Sequence, residues 1–179
     1  MSSNQDSRNA YEVKDKEALL SSLYEEYYDK IAKYAYVRIG NKAEAEDIAG
    51  DVFLKAIKSL KTYKERGVPM QAWLFRIAHN LVVDYFRKNK NYRTVPIDDI
   101  QIESETNPVA TTERNLEIER VKEAMVQLTN EQREVIKLRF FGELSSKEAG
   151  QVLNKSDGAV REMQRAAIEK LRNLLNIDV

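Results

Sequence analysis

Residues 144–171 read LSSKEAGQVLNKSDGAVREMQRAAIEKL, the layout of a helix-turn-helix: a short helix, a tight polar turn of about four residues, and a longer second helix. Ser145 and Glu148 have capping-box spacing for the first helix. Leu144, Ala149, Val152 and Leu153 give that helix an inner face, and Val160, Met163, Ala167 and Leu171 give the second a face to pack on it. The small Ala149 and Gly150 allow a close crossing. At the start of the second helix the outward side holds Ser156, Asp157, Ala159, Arg161, Gln164 and Arg165. All but Ala159 can reach base edges or phosphates, and Ala159 offers a methyl to thymine. A generic surface hairpin also wets Arg and Gln, but it requires neither the paired caps nor the one-sided polar set.

Working back toward the N-terminus, Thr129 and Gln132 repeat the capping-box spacing for a helix ending at Gly142, and a further helix covers about Glu113 to Leu128. Residues 91–112 have no helical period, contain two prolines and are polar and acidic, which reads as an interdomain linker. Three more helices precede it. The first runs from Asp15 to about Ile39, with Leu20, Leu23, Tyr27, Ile31 and Tyr34 at three- and four-residue steps. Gly40 and Asn41 end it and cap the second, whose apolar stripe is Ile48, Ala49, Val52, Phe53, Ala56, Ile57 and Leu60. Pro69 suits the first position of the third, which reaches about Lys90. The expected fold is all-α: a disordered tail (1–14), a helical domain (15–90), a flexible linker (91–112), and a second helical domain (113–179) containing the helix-turn-helix.

Composition narrows the chemistry. The 179 residues include no cysteine and one histidine, His79. This excludes disulfides and thiolate catalysis and argues against a zinc site; no metal and no cofactor is expected. No apolar run approaches the roughly 20 residues of a membrane span, and the start MSSNQDSRNA lacks a secretory core, so a soluble cytoplasmic protein without membrane insertion is expected. Charge is zero overall but uneven: 16 basic and 13 acidic residues in 1–90, 4 and 8 in 91–128, 9 and 8 in 129–179. So small a basic excess implies weak DNA affinity unless a partner adds electrostatic grip.

Two further surfaces stand out. On the second helix Asp47, Asp51, Leu54 and Lys58 line up on the polar side; a Leu between carboxylates suits docking on a basic partner helix. The third helix ends in DYFRKNK and also carries Arg76, His79 and Asn80, a basic, amide and aromatic mixture that fits single-stranded DNA. Trp73 lies on the inner stripe and is assigned to the core.

The segments AEDIAGDVFLKA, QAWLFRIAHNLVVDYFRK, LTNEQREVIKLRFFGELSSKEAG and SDGAVREMQRAAIEKLR together resemble the extracytoplasmic-function group of bacterial sigma factors, in the family's order and over most of residues 20–90 and 115–175. Four positions depart from the family pattern: Gly50 where Gln is frequent, Asn130 where Pro is frequent, and Ala149 with Gly150 in place of a bulkier pair. The resemblance implies a sigma factor that binds core RNA polymerase and directs it to promoters. Asp47, Asp51, Leu54 and Lys58 would meet the polymerase clamp coiled coil, and the flap is a second contact.

The third helix and the loop Tyr63–Val68, with Lys64 and Arg66, would open the minus-ten element; Asn80 would read a base, and Arg76, Arg87 and Lys88, with His79, would contact phosphates. The helix-turn-helix would bind the minus-thirty-five element through Lys155, Ser156, Asp157, Arg161, Gln164 and Arg165. An anti-sigma factor is the implied regulator. Two rivals differ in class. A stand-alone helix-turn-helix regulator has no use for the third helix's aromatic and basic face, and a recombinase-type enzyme would need a nucleophile or metal cluster that these residues do not supply, so no enzymatic activity is expected.

Overall fold

The computed structural model describes the backbone of residues 3–60, 67–89 and 108–177, with side chains described from residue 14 in the first stretch and from residue 115 in the last. Seven α-helices are present among the described residues: α1 (Ser3–Ile39), α2 (Lys42–Ser59), α3 (Met70–Lys88), α4 (Pro108–Val126), α5 (Asn130–Ile136), α6 (Ser146–Leu153) and α7 (Asp157–Leu175). A π-helical turn, Lys137–Phe141, continues α5.

Most boundaries sit where the sequence puts signals. Gly40 adopts φ 76° after α1, and the Asn41 side chain accepts from the Glu44 N–H at 3.1 Å to start α2. Both expected capping boxes close: Thr129 with Gln132, and Ser145 with Glu148. Asn154, at φ 56°, ends α6, and Ser156 caps α7. Three helix starts differ from expectation. Pro69 is the N-cap of α3, one position before the first helical residue. α4 begins at Pro108, inside the stretch expected to be linker, because proline lacks only an N–H that a first turn leaves unpaired anyway. α1 begins at Ser3, inside the stretch 1–14 expected to be a disordered tail: a helix can propagate past the point where it has an apolar face to bury, so periodicity marks a start too late. Residues 61–66 and 90–107, which include Lys64, Arg66 and most of the expected linker, lie outside the described residues.

In the N-terminal domain α1, α2 and α3 enclose a core of Ile31, Tyr34, Val52, Ala56, Leu74 and Phe75, with a second cluster of Ala35, Ile39, Ala45, Ile48 and Val82 at the far end. Trp73 is half-buried and packs against the first cluster, as expected of a core residue. Burying a side chain of Leu or Phe size contributes roughly 1.5–3 kcal/mol, and these residues are the main reason the three helices stay together. In the C-terminal domain Met125, Leu128, Ile136 and Ala167 join α4, α5 and α7. The first cluster also crosses the domain boundary: Val135, Leu138, Leu144, Ala149, Val152 and Val160 belong to it, so α6 packs on α3 and the π turn on α1. Gly142 sits where a Cβ would lie 2.8 Å from the Phe75 ring, so the two domains meet there without room for a side chain.

Candidate nucleic-acid interface

The helix-turn-helix is held from inside by backbone proximity. A Cβ on Gly150 would lie 2.6 Å from the Lys155 carbonyl, whose residue donates its own N–H back to the Gly150 carbonyl at 2.8 Å. The close approach that Gly150 permits is therefore to the turn rather than to the second helix. Ser156 uses its hydroxyl oxygen to accept from the Ala159 N–H at 3.1 Å, which sets the first turn of α7. Asp157 accepts from the Ser146 hydroxyl and from Arg161, and these bonds hold its carboxyl down at about 2. Arg161 projects from that anchored start and is exposed. Arg165 is exposed too and pairs with Glu162 at 3.0 Å and, more loosely, with Glu169. Lys155 pairs with Glu131 at 2.7 Å.

Gln164 is placed differently from the other candidates. It is half-buried, and its amide oxygen accepts from Arg139 Nε at 2.8 Å, tying α7 to the π turn. Arg139 also donates to the Leu144 carbonyl. Of the residues expected on the outward face of α7, Ser156, Ala159, Arg161 and Arg165 are exposed and Asp157 is half-buried, while Gln164 is turned toward the domain's interior.

On α3, Asn80, Arg87 and Lys88 are exposed; Arg87 pairs with Asp84 at 3.0 Å. Arg76 and His79 face the other domain. Arg76 donates to the Gln151 carbonyl on α6, and Gln151 donates in turn to the Gly67 carbonyl at 3.0 Å. His79 Nδ1 lies 3.1 Å from the Tyr34 hydroxyl, 3.2 Å from Arg38 and 3.6 Å from the Glu134 carboxylate of α5.

Glu134 is the centre of this cluster. It pairs with Arg38 at 3.1 Å, accepts from the Tyr34 hydroxyl at 3.3 Å and meets Lys137 at 3.5 Å. Burial alone would push its carboxyl up, but the hydrogen bond with His79 and the charges of Arg38 and Lys137 outweigh burial and hold it at about 2. Burial likewise pushes the Tyr34 phenol up and the Lys137 ammonium down, with Glu134 opposing the second shift.

The candidate docking face on α2 is exposed as expected at Asp47, Asp51, Leu54 and Lys58. Ile57 corrects the sequence reading: assigned to the buried stripe, it is 56% exposed, the same as Leu54, because it falls one step beyond the edge of the arc that packs on α1 and α3. Among the described residues no group of three or more His, Cys, Asp and Glu could hold a metal, and no helix is long and apolar enough to cross a membrane.

These faces fall within two matched family models, Sigma-70 region 2 over residues 23–92 and Sigma-70, region 4 over residues 124–173. The ECF RNA polymerase sigma factor SigW of Bacillus subtilis is 31% identical over 169 residues, covering 83% of this chain and 84% of SigW. The chain belongs to the ECF group of the sigma-70 family. Members of that family are DNA-binding transcription initiation factors. A longer relative, BldN of Streptomyces coelicolor, is 34% identical over 158 residues, 87% of this chain but 60% of BldN. Among solved structures, CnrH in complex with the cytosolic domain of CnrY aligns with a TM-score of 0.65, 26% identity and 96% of both chains covered. The region 2 match covers the latter part of α1 with all of α2 and α3, and the region 4 match covers the end of α4 with nearly all of α5–α7, so the all-helical, two-domain expectation holds.

Sequence reasoning missed the contacts between the domains. Glu134 carried a faint signal, a carboxylate directly before the apolar and basic run VIKLRFF of residues 135–141.

Proposed function

We propose that this sigma factor binds core RNA polymerase through the exposed α2 face, with Leu54 and Ile57 as apolar anchors and Asp47, Asp51 and Lys58 as orienting charges on the clamp coiled coil, the flap being a second contact. α3 then opens the minus-ten element, with Asn80 reading a base and Arg76, His79, Arg87 and Lys88 contacting phosphates, assisted by Lys64 and Arg66. Arg161 and Arg165 read the minus-thirty-five duplex, with Lys155 and Ser156 on its backbone; Asp157 orients Arg161, and Gln164 supports the motif from behind. The protein works in the cytoplasm, catalyses no reaction itself, and is held in check by an anti-sigma factor, as the complex of its solved relative CnrH with CnrY suggests.

The observation that carries this reading is the coincidence of three chemically distinct exposed faces with the two matched sigma regions, in the family's order. The test is run-off transcription from the promoter upstream of the protein's own gene. Discrete initiation only when chain and core polymerase are both present supports it; a defined duplex site bound by the chain alone, with no polymerase binding, replaces it with the stand-alone regulator.

A further inference from the structure

We infer that Ser146, Asp157 and Arg161 form a buttress across the two helices of the helix-turn-helix, which holds the Arg161 guanidinium in one orientation and makes it select guanine at one position of the duplex. The inference rests on the assignment of α7 to the minus-thirty-five element proposed above. It adds a base identity and a positioning residue, Ser146, to that assignment.

The chain of bonds starts on one helix and ends on the other. Ser146, in the first turn of α6, donates its hydroxyl to Asp157 Oδ1 at the start of α7. Asp157 in turn accepts from Arg161 Nε at 3.2 Å on Oδ1 and from an Arg161 terminal nitrogen on Oδ2. The carboxylate that holds the arginine is therefore itself held by the neighbouring helix. Helix capping does not use the Ser146 hydroxyl, because Ser145 caps α6 and Ser156 caps α7. Its bond to Asp157 serves orientation instead.

Which base this favours follows from counting donors. A guanidinium carries five N–H groups in a planar fork. Asp157 takes two of them, along the edge formed by Nε and one terminal nitrogen. The edge left open is the outer one, with an N–H from each terminal nitrogen, and the Arg161 side chain is 66% exposed. In the major groove guanine presents two neighbouring acceptors, N7 and O6, that match such a pair. Adenine places an amino donor beside N7, so N–H would face N–H; thymine offers one acceptor, and cytosine an amino donor. A freely turning arginine would be served as well by a phosphate, which carries no sequence information. Arg165 differs in this respect. Its two terminal nitrogens face Glu162 at 3.0 Å and Glu169 at 3.9 Å, both on α7 itself and both exposed, so it presents charge rather than a fork fixed from another helix.

The test is selection from a pool of duplexes with a randomised centre, bound to the full chain at low salt and sequenced after retention, which reads base preference at every position at once. Wild type should enrich guanine over the other bases at one position by about tenfold to a hundredfold, the discrimination of one bidentate pair. Arg161→Lys has the same charge but no fork, and should erase that enrichment. Ser146→Ala should lower it by about fivefold, the ratio that corresponds to one ordinary hydrogen bond, and Ser146→Thr, which keeps the hydroxyl, should preserve it. A residue serving only the fold would instead lower the melting temperature and total binding without changing base preference. That result overturns the buttress, as does enrichment of a base other than guanine, a guanine preference that survives Arg161→Lys, or one unmoved by Ser146→Ala or lost in Ser146→Thr; in each of these α7 remains the duplex reader. A wild type that enriches no base removes the upstream-element assignment itself, and the buttress with it.

Discussion

The Glu134 carboxylate of α5 lies 3.1 Å from the Arg38 guanidinium at the end of α1, a pair formed by residues 96 positions apart and on different domains. Glu134 titrates at about 2, below its ordinary value of 4.5, so its charged form is the one that holds the domains together. The sign follows from linkage: the contribution is fully present above about 4.5 and disappears as pH falls through about 2. Lys137, in the same domain as Glu134, supplies part of the shift, so the share that joins the domains is smaller than the whole. Acid titration of energy transfer between dyes placed on the two domains should therefore show closure lost between those values, and Glu134→Gln should abolish that transition while leaving helix content intact.

Two glycines should respond oppositely to alanine. At Gly150 the new Cβ meets the Lys155 carbonyl at 2.6 Å, and backbone cannot step aside cheaply; a loss of roughly 1–3 kcal/mol is expected. At Gly50 a Cβ meets nothing within 4 Å in the middle of α2, so Gly50→Ala should stabilise by roughly 0.5–1 kcal/mol. Thermal unfolding of the two variants beside wild type checks both signs; a stable Gly150→Ala protein contradicts the described turn.

Arg161 and Asp157 form a charge pair at the exposed start of α7, and their removal should separate affinity from specificity. Arg161→Ala is expected to weaken binding to the cognate upstream duplex by about tenfold to a hundredfold and to flatten discrimination at one base position. Asp157→Ala removes a carboxylate that both orients Arg161 and repels phosphate, so binding to scrambled duplex should rise while the preference for the cognate site falls. Anisotropy titrations on matched and scrambled duplexes at fixed salt distinguish these outcomes.

Leu54→Ala and Ile57→Ala should each weaken core polymerase binding by more than 1 kcal/mol, as expected of apolar anchors at an interface centre. Because both side chains are already more than half exposed, neither change should shift the melting temperature appreciably. A variant that loses stability in proportion to binding would place these residues in the fold instead.

The sequence announced its helices through groups that act locally. Thr129, Ser145 and Asn41 each satisfy an N–H within three residues, so their capping roles could be read directly from spacing. The helix-turn-helix was legible for the same reason, since its apolar faces and turn lie within 28 residues. Ile57 and Gln164 were misread because an apolar or polar stripe defines a face only to within about one residue's 100° step. Arg76 and His79 were recognised as chemically apt, but their partners Gln151 and Glu134 lie 75 and 55 positions away. Periodicity tells which side of a helix is buried and is silent about what buries it. The π turn left no mark either, because its Lys137–Phe141 residues read like an ordinary helix end.

That turn carries one residue more than an α-helix would use, with the Gly142 N–H reaching back five residues to the Lys137 carbonyl at 3.0 Å. Deleting a single residue within it would let α5 wind on as a regular helix. Everything downstream would then be rotated by about 100° and drawn back by about 1.5 Å. Gly142 would no longer face Phe75, Glu143 would swing away from Lys30, and the whole reading head would be re-aimed relative to the rest of the chain without any change to its own residues. The length of this one segment thus acts as a phase setting between the two halves of the molecule.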